Sequence, residues 1–451
     1  MKRLYALFAL LMLVAVQPAR AQSILRDAET EALLNDASRP LIEAAGLSPR
    51  NVRIVLINDS SINAFVAGGQ AVYIHSGLID AADNINEVQG VIAHELGHVT
   101  GGHAPLSGQM FKQATGISIL SLVLGVAAMA AGAGEAGAGI LAAGQQAAMG
   151  SVLAFSRNQE SSADAAGVRY LNTAKISGKG MLEFFKKLQN QEFRLAIPQN
   201  NPYNRTHPLS GQRIANLTND LSQGTGWRVP TPAGWDDRFK RIQAKLRGYV
   251  DDPKDTLRKY PASDTSIPAR YARAYAYHRS GYPTEAAAEA AALVKAAPND
   301  PYFLELEGQI LLESGKPAEA LKALRVATAR TNYQPLIATT FGHALVATED
   351  PANLPEAEKV LRQAVARDDQ NPFAWYQLGT VYERKGDGPR TALAAAEQAS
   401  LTGDNARALF SARAALAGLP QGTPDYIRAQ DIQMTAEVAV EQDKKNRRRE
   451  R

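Results

Sequence analysis

The sequence predicts a mainly helical protein, with an α+β N-terminal domain holding a small β-hairpin or sheet and then a solenoid of paired helices. Three observations carry this. Apolar positions recur at helical spacing over most of the 451 residues. Strand-like runs are confined to residues 52–75. From about Ile267 an Ala-rich texture repeats at spacings of 33–37 residues. The chain is too long for one ordinary core. With 45% hydrophobic and 21% charged residues it reads as globular.

Taken in order, residues 1–21 carry Lys2 and Arg3, an apolar run from Leu4 to Val16, and Ala19-Arg20-Ala21. That is the layout of a cleaved export signal. Residues 24–46 predict an amphipathic helix. Val52 to Ile57 predicts a strand, and Asn63 to Ile74 a hairpin turning at Gly68-Gly69. Helical patterns run from Asn86 through Arg194. Pro198 to Pro208 reads as a loop and Asp236 to Val250 as another helix. Repeat units start at Pro268, Pro301, Pro335, Pro372 and Ala406. One copy reads Trp375-x2-Leu378-Gly379-x2-Tyr382, the tetratricopeptide (TPR) signature. The expected division is therefore a signal segment 1–21, a catalytic domain 22–250, TPR helices 251–443 and a basic tail 444–451.

The charge is unevenly placed. Lys2, Arg3 and Arg20 supply three of the net +4, and the last eight residues carry six basic side chains and Glu450. The rest of the chain is mildly acidic, which argues against a nucleic-acid-binding face and leaves the tail as a solvated, disordered end. The chain has no cysteine. Disulfides, Cys-ligated metals and Cys nucleophiles are thereby excluded, and any metal must be held by His and carboxylates.

The strongest motif is His94-Glu95-Leu96-Gly97-His98. Residues four apart share one helix face, so both imidazoles point to one place, as two zinc ligands require. Glu95 lies beside them, placed to act as a base without ligating. Val91-Ile92-Ala93 makes the helix a buried one, and Gly101-Gly102 can end it. A continuation as HExxHxxGxxH fails, because Ala104 fills the last position and His103 comes one residue early. The third ligand is instead expected at Glu160, with Asp164 one turn further on to orient a ligating His. Two His and one Glu leave a fourth position for water, the count of a catalytic zinc site. One Zn2+ per chain is expected.

This set resembles the zincin-type gluzincin peptidases that include HtpX and the CAAX prenyl-protein endopeptidases. Asn63-Ala64-Phe65, Gly68-Gly69, Arg205-Thr206-His207-Pro208 and the TPR units narrow the resemblance to exported members. It implies a periplasmic metalloendopeptidase, possible peripheral membrane contact, and unfolded or misfolded outer-membrane β-barrel proteins as substrates. The TPRs would dock substrate or assembly machinery. The alternative is a TPR chaperone or adaptor that rarely cleaves. The resemblance also places His207 near the metal, either as a fourth ligand that keeps the enzyme latent or as a stabiliser of the oxyanion. Arg213 is expected to position substrate or cap a helix. The strand Val72, Tyr73, Ile74 and His75 is expected to pair with an extended substrate, with His75 itself a surface residue. The uncharged stretch Gly116 to Gly134 is expected to form buried or site-covering helices, with membrane-surface contact and a true membrane span as the alternatives.

Overall fold

The computed structural model describes residues 23–130, 134–195 and 207–449. The expected signal segment 1–21 and most of the expected 198–208 loop lie outside these residues. The chain separates into two compact units, one of residues 23–25 and 33–239, the other of 26–32 and 240–449. Among the described residues there are nineteen α-helices and one four-stranded sheet.

In the first unit the sheet comprises β1 (Ser23–Ile24), β2 (Arg53–Asn58), β3 (Ala64–Ala67) and β4 (Ala71–His75), in the order β1-β2-β4-β3. The hairpin expected at 63–74 is present. Gly68 and Gly69 turn it with φ of 59° and 92°, a region that favours glycine. Across the hairpin Phe65 pairs with Tyr73 and their rings stack at 5.1 Å. The order corrects one expectation. β4 is hydrogen-bonded to β2 on one side and β3 on the other, so Val72 to His75 has no free edge to offer a substrate. His75 is also not a surface residue. It is buried, with Nδ1 2.9 Å from Ser61 Oγ.

Six helices follow or flank the sheet: α1 (Ala28–Ala44, in this unit from Leu33 onward), α2 (Ser76–Ala81), α3 (Ile85–Thr100), α4 (His103–Ala130), α5 (Gly134–Thr173) and α6 (Lys179–Leu195). A seventh, α7 (Gly211–Ser222), comes after the 196–206 segment. Asn84 caps α3 by accepting from the Glu87 amide. Val88, Val91, Ile92 and Leu96 of α3 are wholly buried, and α3 packs on α5, α6 and the strand β3. Of the readings of residues 116–134, burial does not hold for the described part, 116–130. Helices α4 and α5 form an antiparallel pair, but Ile119, Leu120, Leu122, Val123, Leu124 and Val126 are exposed.

The second unit holds α8 (Trp235–Val250, from Lys240 onward), α9 (Pro253–Lys259) and then pairs in a repeat-like packing: α10 (Ile267–Arg279) with α11 (Pro283–Ala296), α12 (Pro301–Glu313) with α13 (Pro317–Arg330), α14 (Pro335–Ala347) with α15 (Leu354–Arg367), α16 (Pro372–Arg384) with α17 (Gly388–Leu401), and α18 (Asn405–Leu416) with α19 (Pro424–Arg449). Proline occupies the first turn of most of them, where its missing N–H costs nothing. A Cβ at Gly308 would sit 2.4 Å from Leu324, and one at Gly342 2.4 Å from Leu361, so both glycines set the close approach within a pair. The extra residues near Asp350 form a single 3-10 turn, Pro351–Asn353. The basic tail is not a loose end over its described part, because α19 continues to Arg449.

A buried ionic cluster lies within this unit. Arg241 forks to Asp300 at 2.6 and 3.1 Å and bonds Glu29, while the Tyr271 hydroxyl donates to Glu29 at 2.6 Å. Lys245 bonds Asp27. Glu305 Oε2 is shielded from water with no hydrogen-bond partner among the described residues. Burial pushes the Glu305 carboxyl up to about 8, opposed by Lys245 and reinforced by Asp27 and Glu29. Its folded value exceeds its unfolded one, so its contribution is intact below about pH 4.5 and is lost as pH rises toward 8. Glu305→Gln is therefore expected to stabilise the protein by about 2–4 kcal/mol at pH 8 and by almost nothing at pH 4. Denaturant unfolding at both pH values checks this; an unchanged midpoint at pH 8 contradicts it.

Candidate metal centre

His94 and His98 lie one turn apart on α3, and Glu160 and Asp164 one turn apart on α5. What brings the two faces together is small residues. A Cβ on Gly97 would sit 2.7 Å from the Ala163 carbonyl oxygen, and one on Gly167 3.3 Å from the Ala93 backbone. The glycine inside His94-Glu95-Leu96-Gly97-His98 thus sets the distance between α3 and α5. Gly97→Val is expected to force the helices apart and weaken metal binding about 10–100-fold, the usual effect of misplacing ligands by their supports. Competition with a chelator reads the affinity directly; wild-type affinity in that variant contradicts the packing argument.

Four donor groups converge: His94, His98, Glu160 and His207, all buried, with one ligand atom from each inside a common 4.8 Å. His94 Nε2 is 3.1 Å from His98 Nε2, 3.2 Å from His207 Nδ1 and 3.3 Å from Glu160 Oε2. Glu160 Oε1 is 3.4 Å from His98 Nε2 and 3.1 Å from His207 Nδ1. Ligands held tetrahedrally at zinc-type bond lengths of about 2.05 Å lie about 3.3 Å from one another. The separations here match that spacing.

The hydrogen-bond roles fit a cation as well. His94 Nδ1 lies 3.0 Å from Asp164 Oδ1, so the proton belongs on Nδ1 and Nε2 turns a lone pair inward. His98 Nδ1 lies 2.8 Å from His103 Nδ1, and His103 Nε2 lies 3.1 Å from Ser162 Oγ. Burial, with His98 alongside, lowers His103 to about 4, so His103 is neutral and accepts from His98. Gly101 makes room for this ring, since a Cβ there would strike His103 Nε2 at 2.3 Å. Inward lone pairs at such distances repel one another without a positive charge between them. Even against the penalty of burial, the hydrogen bonds that the ring donates to Asp164 and Glu160 raise His94 to about 10. The field that would hold a proton there equally favours a metal ion.

Arg213 closes the far side. Its Nε and Nη2 bond Asp164 at 2.7 and 2.8 Å, and Nη1 bonds Glu160 at 2.9 Å and the Pro208 carbonyl at 2.8 Å. Despite burial, Arg213 and His94 hold the Asp164 carboxyl below its ordinary range, and His207 leads the groups that do the same to Glu160. Arg213 therefore neither caps a helix through its side chain nor reaches open solvent; Ser210 is the cap of α7. A signal was present in the sequence: Arg213, Leu217 and Leu221 fall four apart, which puts the guanidinium on the buried stripe.

Glu95 stands apart from the four donors. It is fully buried, and neither carboxylate oxygen has a hydrogen-bond partner among the described residues. His207 Nε2 lies 3.6 Å from its Oε1. A buried carboxylate without a partner beside a metal-ligand cluster is in the position of a base awaiting water. The arrangement defines a class: buried His, His and carboxylate donors on two helices with a free carboxylate beside them, which is the make-up of a metallopeptidase.

Residues 28–220 match the model of Peptidase family M48. The chain carries a Peptidase family M48 domain and is a metallopeptidase. It is 27% identical over 407 residues to the beta-barrel assembly-enhancing protease of Yersinia pestis, covering 87% of this chain and 81% of that one. It is 26% identical over 392 residues to the protein of the same name from Escherichia coli K12, covering 84% and 77%. The metalloprotease LoiP of Escherichia coli K12 is 30% identical over 179 residues, 39% of this chain and 64% of that one.

Proposed function

We propose that this chain is an exported zinc endopeptidase that cleaves misfolded or stalled outer-membrane β-barrel proteins in the periplasm. The observation that carries the reading is the convergence of four buried donors beside the unpartnered Glu95 carboxylate. His94, His98 and Glu160 are the zinc ligands, and Asp164 holds the His94 ring. Zinc in this site supplies Lewis acidity, which acidifies water and polarises a peptide carbonyl. Glu95 takes the water proton on a carboxylate oxygen and returns it to the departing amine.

The scissile chain needs a place to lie. Among the described strands β3 pairs on one side only, and it packs on α3. An extended peptide adding to the free edge of Ala64–Ala67 would run along the helix that carries Glu95. Backbone pairing of this kind requires no particular sequence, which suits unfolded clients. The signal segment 1–21 supports export. The repeat-like helices, read as TPRs over 251–443, supply docking surface; Phe373 and Tyr376 are exposed there. The names of these two relatives, beta-barrel assembly-enhancing protease, support the substrate class and contact with assembly machinery. A chaperone that only docks its clients has no use for the buried donor set.

His207 is assigned as a fourth ligand. Four protein ligands make a closed site, and catalysis requires an open position. His207 must therefore withdraw for substrate to enter, and the protein at rest is latent. With an unfolded β-barrel protein as substrate, the zinc-loaded chain is expected to cleave slowly. His207→Ala should cleave at least about tenfold faster with zinc retained, and chelation should stop both. Equal or lower activity in His207→Ala contradicts the latency assignment. No cleavage by either protein contradicts the endopeptidase reading.

A further inference from the structure

The helices α4 and α5 are packed inside out for a water-soluble pair. Where they meet, the contacts are small. Ser121, Gly125, Gly137, Gly144 and Ala148 are buried, and Cβ atoms on Gly125 and Gly144 would collide with Leu141 and Ser121 of the opposite helix. The large apolar side chains face outward: Leu120, Val123 and Met149 are 59%, 60% and 60% exposed. On α4, residues 119, 120, 122, 123, 124 and 126 cover every direction except the one that Ser121 and Gly125 turn to α5. A surface made for one protein partner would be a single stripe. Small residues between helices with large apolar residues all round is the packing of helices in lipid.

The charge pattern sets the depth. Residues 113–134 and 136–156 contain no Asp, Glu, Lys or Arg. Their described helical parts, 113–130 and 136–156, are about 27 and 32 Å long, close to the thickness of a bilayer's hydrocarbon core. Lys112 and Arg157, both exposed, bound the pair at its base, and Glu135 lies between the runs. We propose that the α4–α5 hairpin inserts into a lipid bilayer, with Lys112 and Arg157 at the interface. Glu160 follows Arg157 by three residues, about 4.5 Å along the helix. The metal centre then sits at the membrane surface, where its substrates emerge from or approach the lipid. The insertion stands independently of the peptidase reading.

The test uses the full chain, purified in mild detergent and mixed with phosphatidylcholine–phosphatidylglycerol vesicles. Wild type is expected to float with the vesicles in high salt and to stay with them through alkaline carbonate. The double variant Leu120→Glu/Val123→Glu, altered only at exposed positions, is expected to float at least about tenfold less, with unchanged bound metal and thermal unfolding. Leu120→Trp provides a second reading that requires no loss of binding: its fluorescence should be quenched by lipids brominated in the acyl chain. Release of wild type by carbonate, flotation of the double variant at the wild-type level, or unquenched emission from Leu120→Trp would each overturn the proposal. Self-association without lipid uptake would overturn it too, assigning the surface to a second copy.

Discussion

Replacing Arg213 with Met is expected to lower stability by about 3–5 kcal/mol, the effect of leaving buried charges without their partner. Asp164 loses two hydrogen bonds at 2.7 and 2.8 Å, Glu160 loses one at 2.9 Å, and the Pro208 carbonyl loses its donor. All three acceptors are in or next to buried parts of the metal centre, so water cannot replace the guanidinium at low cost. The loss is larger without metal than with it, because a bound cation compensates Glu160 directly. Metal affinity should fall as well, since Asp164 no longer fixes the His94 ring. Urea unfolding of loaded and chelated protein separates the two contributions. A variant that unfolds like wild type in both states would show that the Arg213 contacts contribute nothing net. Arg213→Lys should not rescue, because an ammonium cannot bond Asp164 through two parallel donors and Glu160 at once.

The second large effect is on chemistry alone. Glu95→Gln is expected to reduce peptide hydrolysis by about 10²–10⁴-fold while leaving bound metal unchanged. Glu95 makes no hydrogen bond among the described residues and is not one of the four converging donors, so its amide isostere disturbs neither packing nor ligation. Turnover and metal content must be measured on the same preparation. Loss of both together would move Glu95 into the ligand set and undo its assignment as base.

Some of this was legible in the sequence for reasons of geometry. Two histidines four apart on an apolar helix can only point the same way, and the structure places His94 and His98 3.1 Å apart. Glu160 was found through its pairing with Asp164 at helical spacing, which puts one carboxylate at the cluster and the other on the His94 ring. His207 required the family resemblance, because nothing in its local spacing ties a residue 109 positions beyond His98 to that helix.

The misreadings share a cause: sequence shows which residues are apolar but not what covers them. Ala71-Val72-Tyr73-Ile74 reads as a strand either way. Its nearly continuous apolar run reports covered faces and says nothing of its edges, which β2 and β3 occupy. The stretch 116–134 left burial, membrane-surface contact and a span open, with its Ala and Gly content favouring burial, yet in the described part its small residues face the neighbouring helix and its large ones face outward. Two features left little trace in advance. Strand β1 is only two residues long, and the Glu29, Arg241 and Asp300 cluster joins residues more than 200 positions apart.

The central claim is that His94, His98 and Glu160 together hold one metal ion. The most direct measurement is the zinc content of purified full-length protein by elemental analysis, beside His94→Ala/His98→Ala and Glu160→Gln, each checked for folding by circular dichroism. The expected result is one zinc per wild-type chain, almost none in the histidine double variant and a strongly reduced amount in Glu160→Gln. A full equivalent of zinc in the folded double variant, or none in wild type loaded with excess zinc, would contradict it.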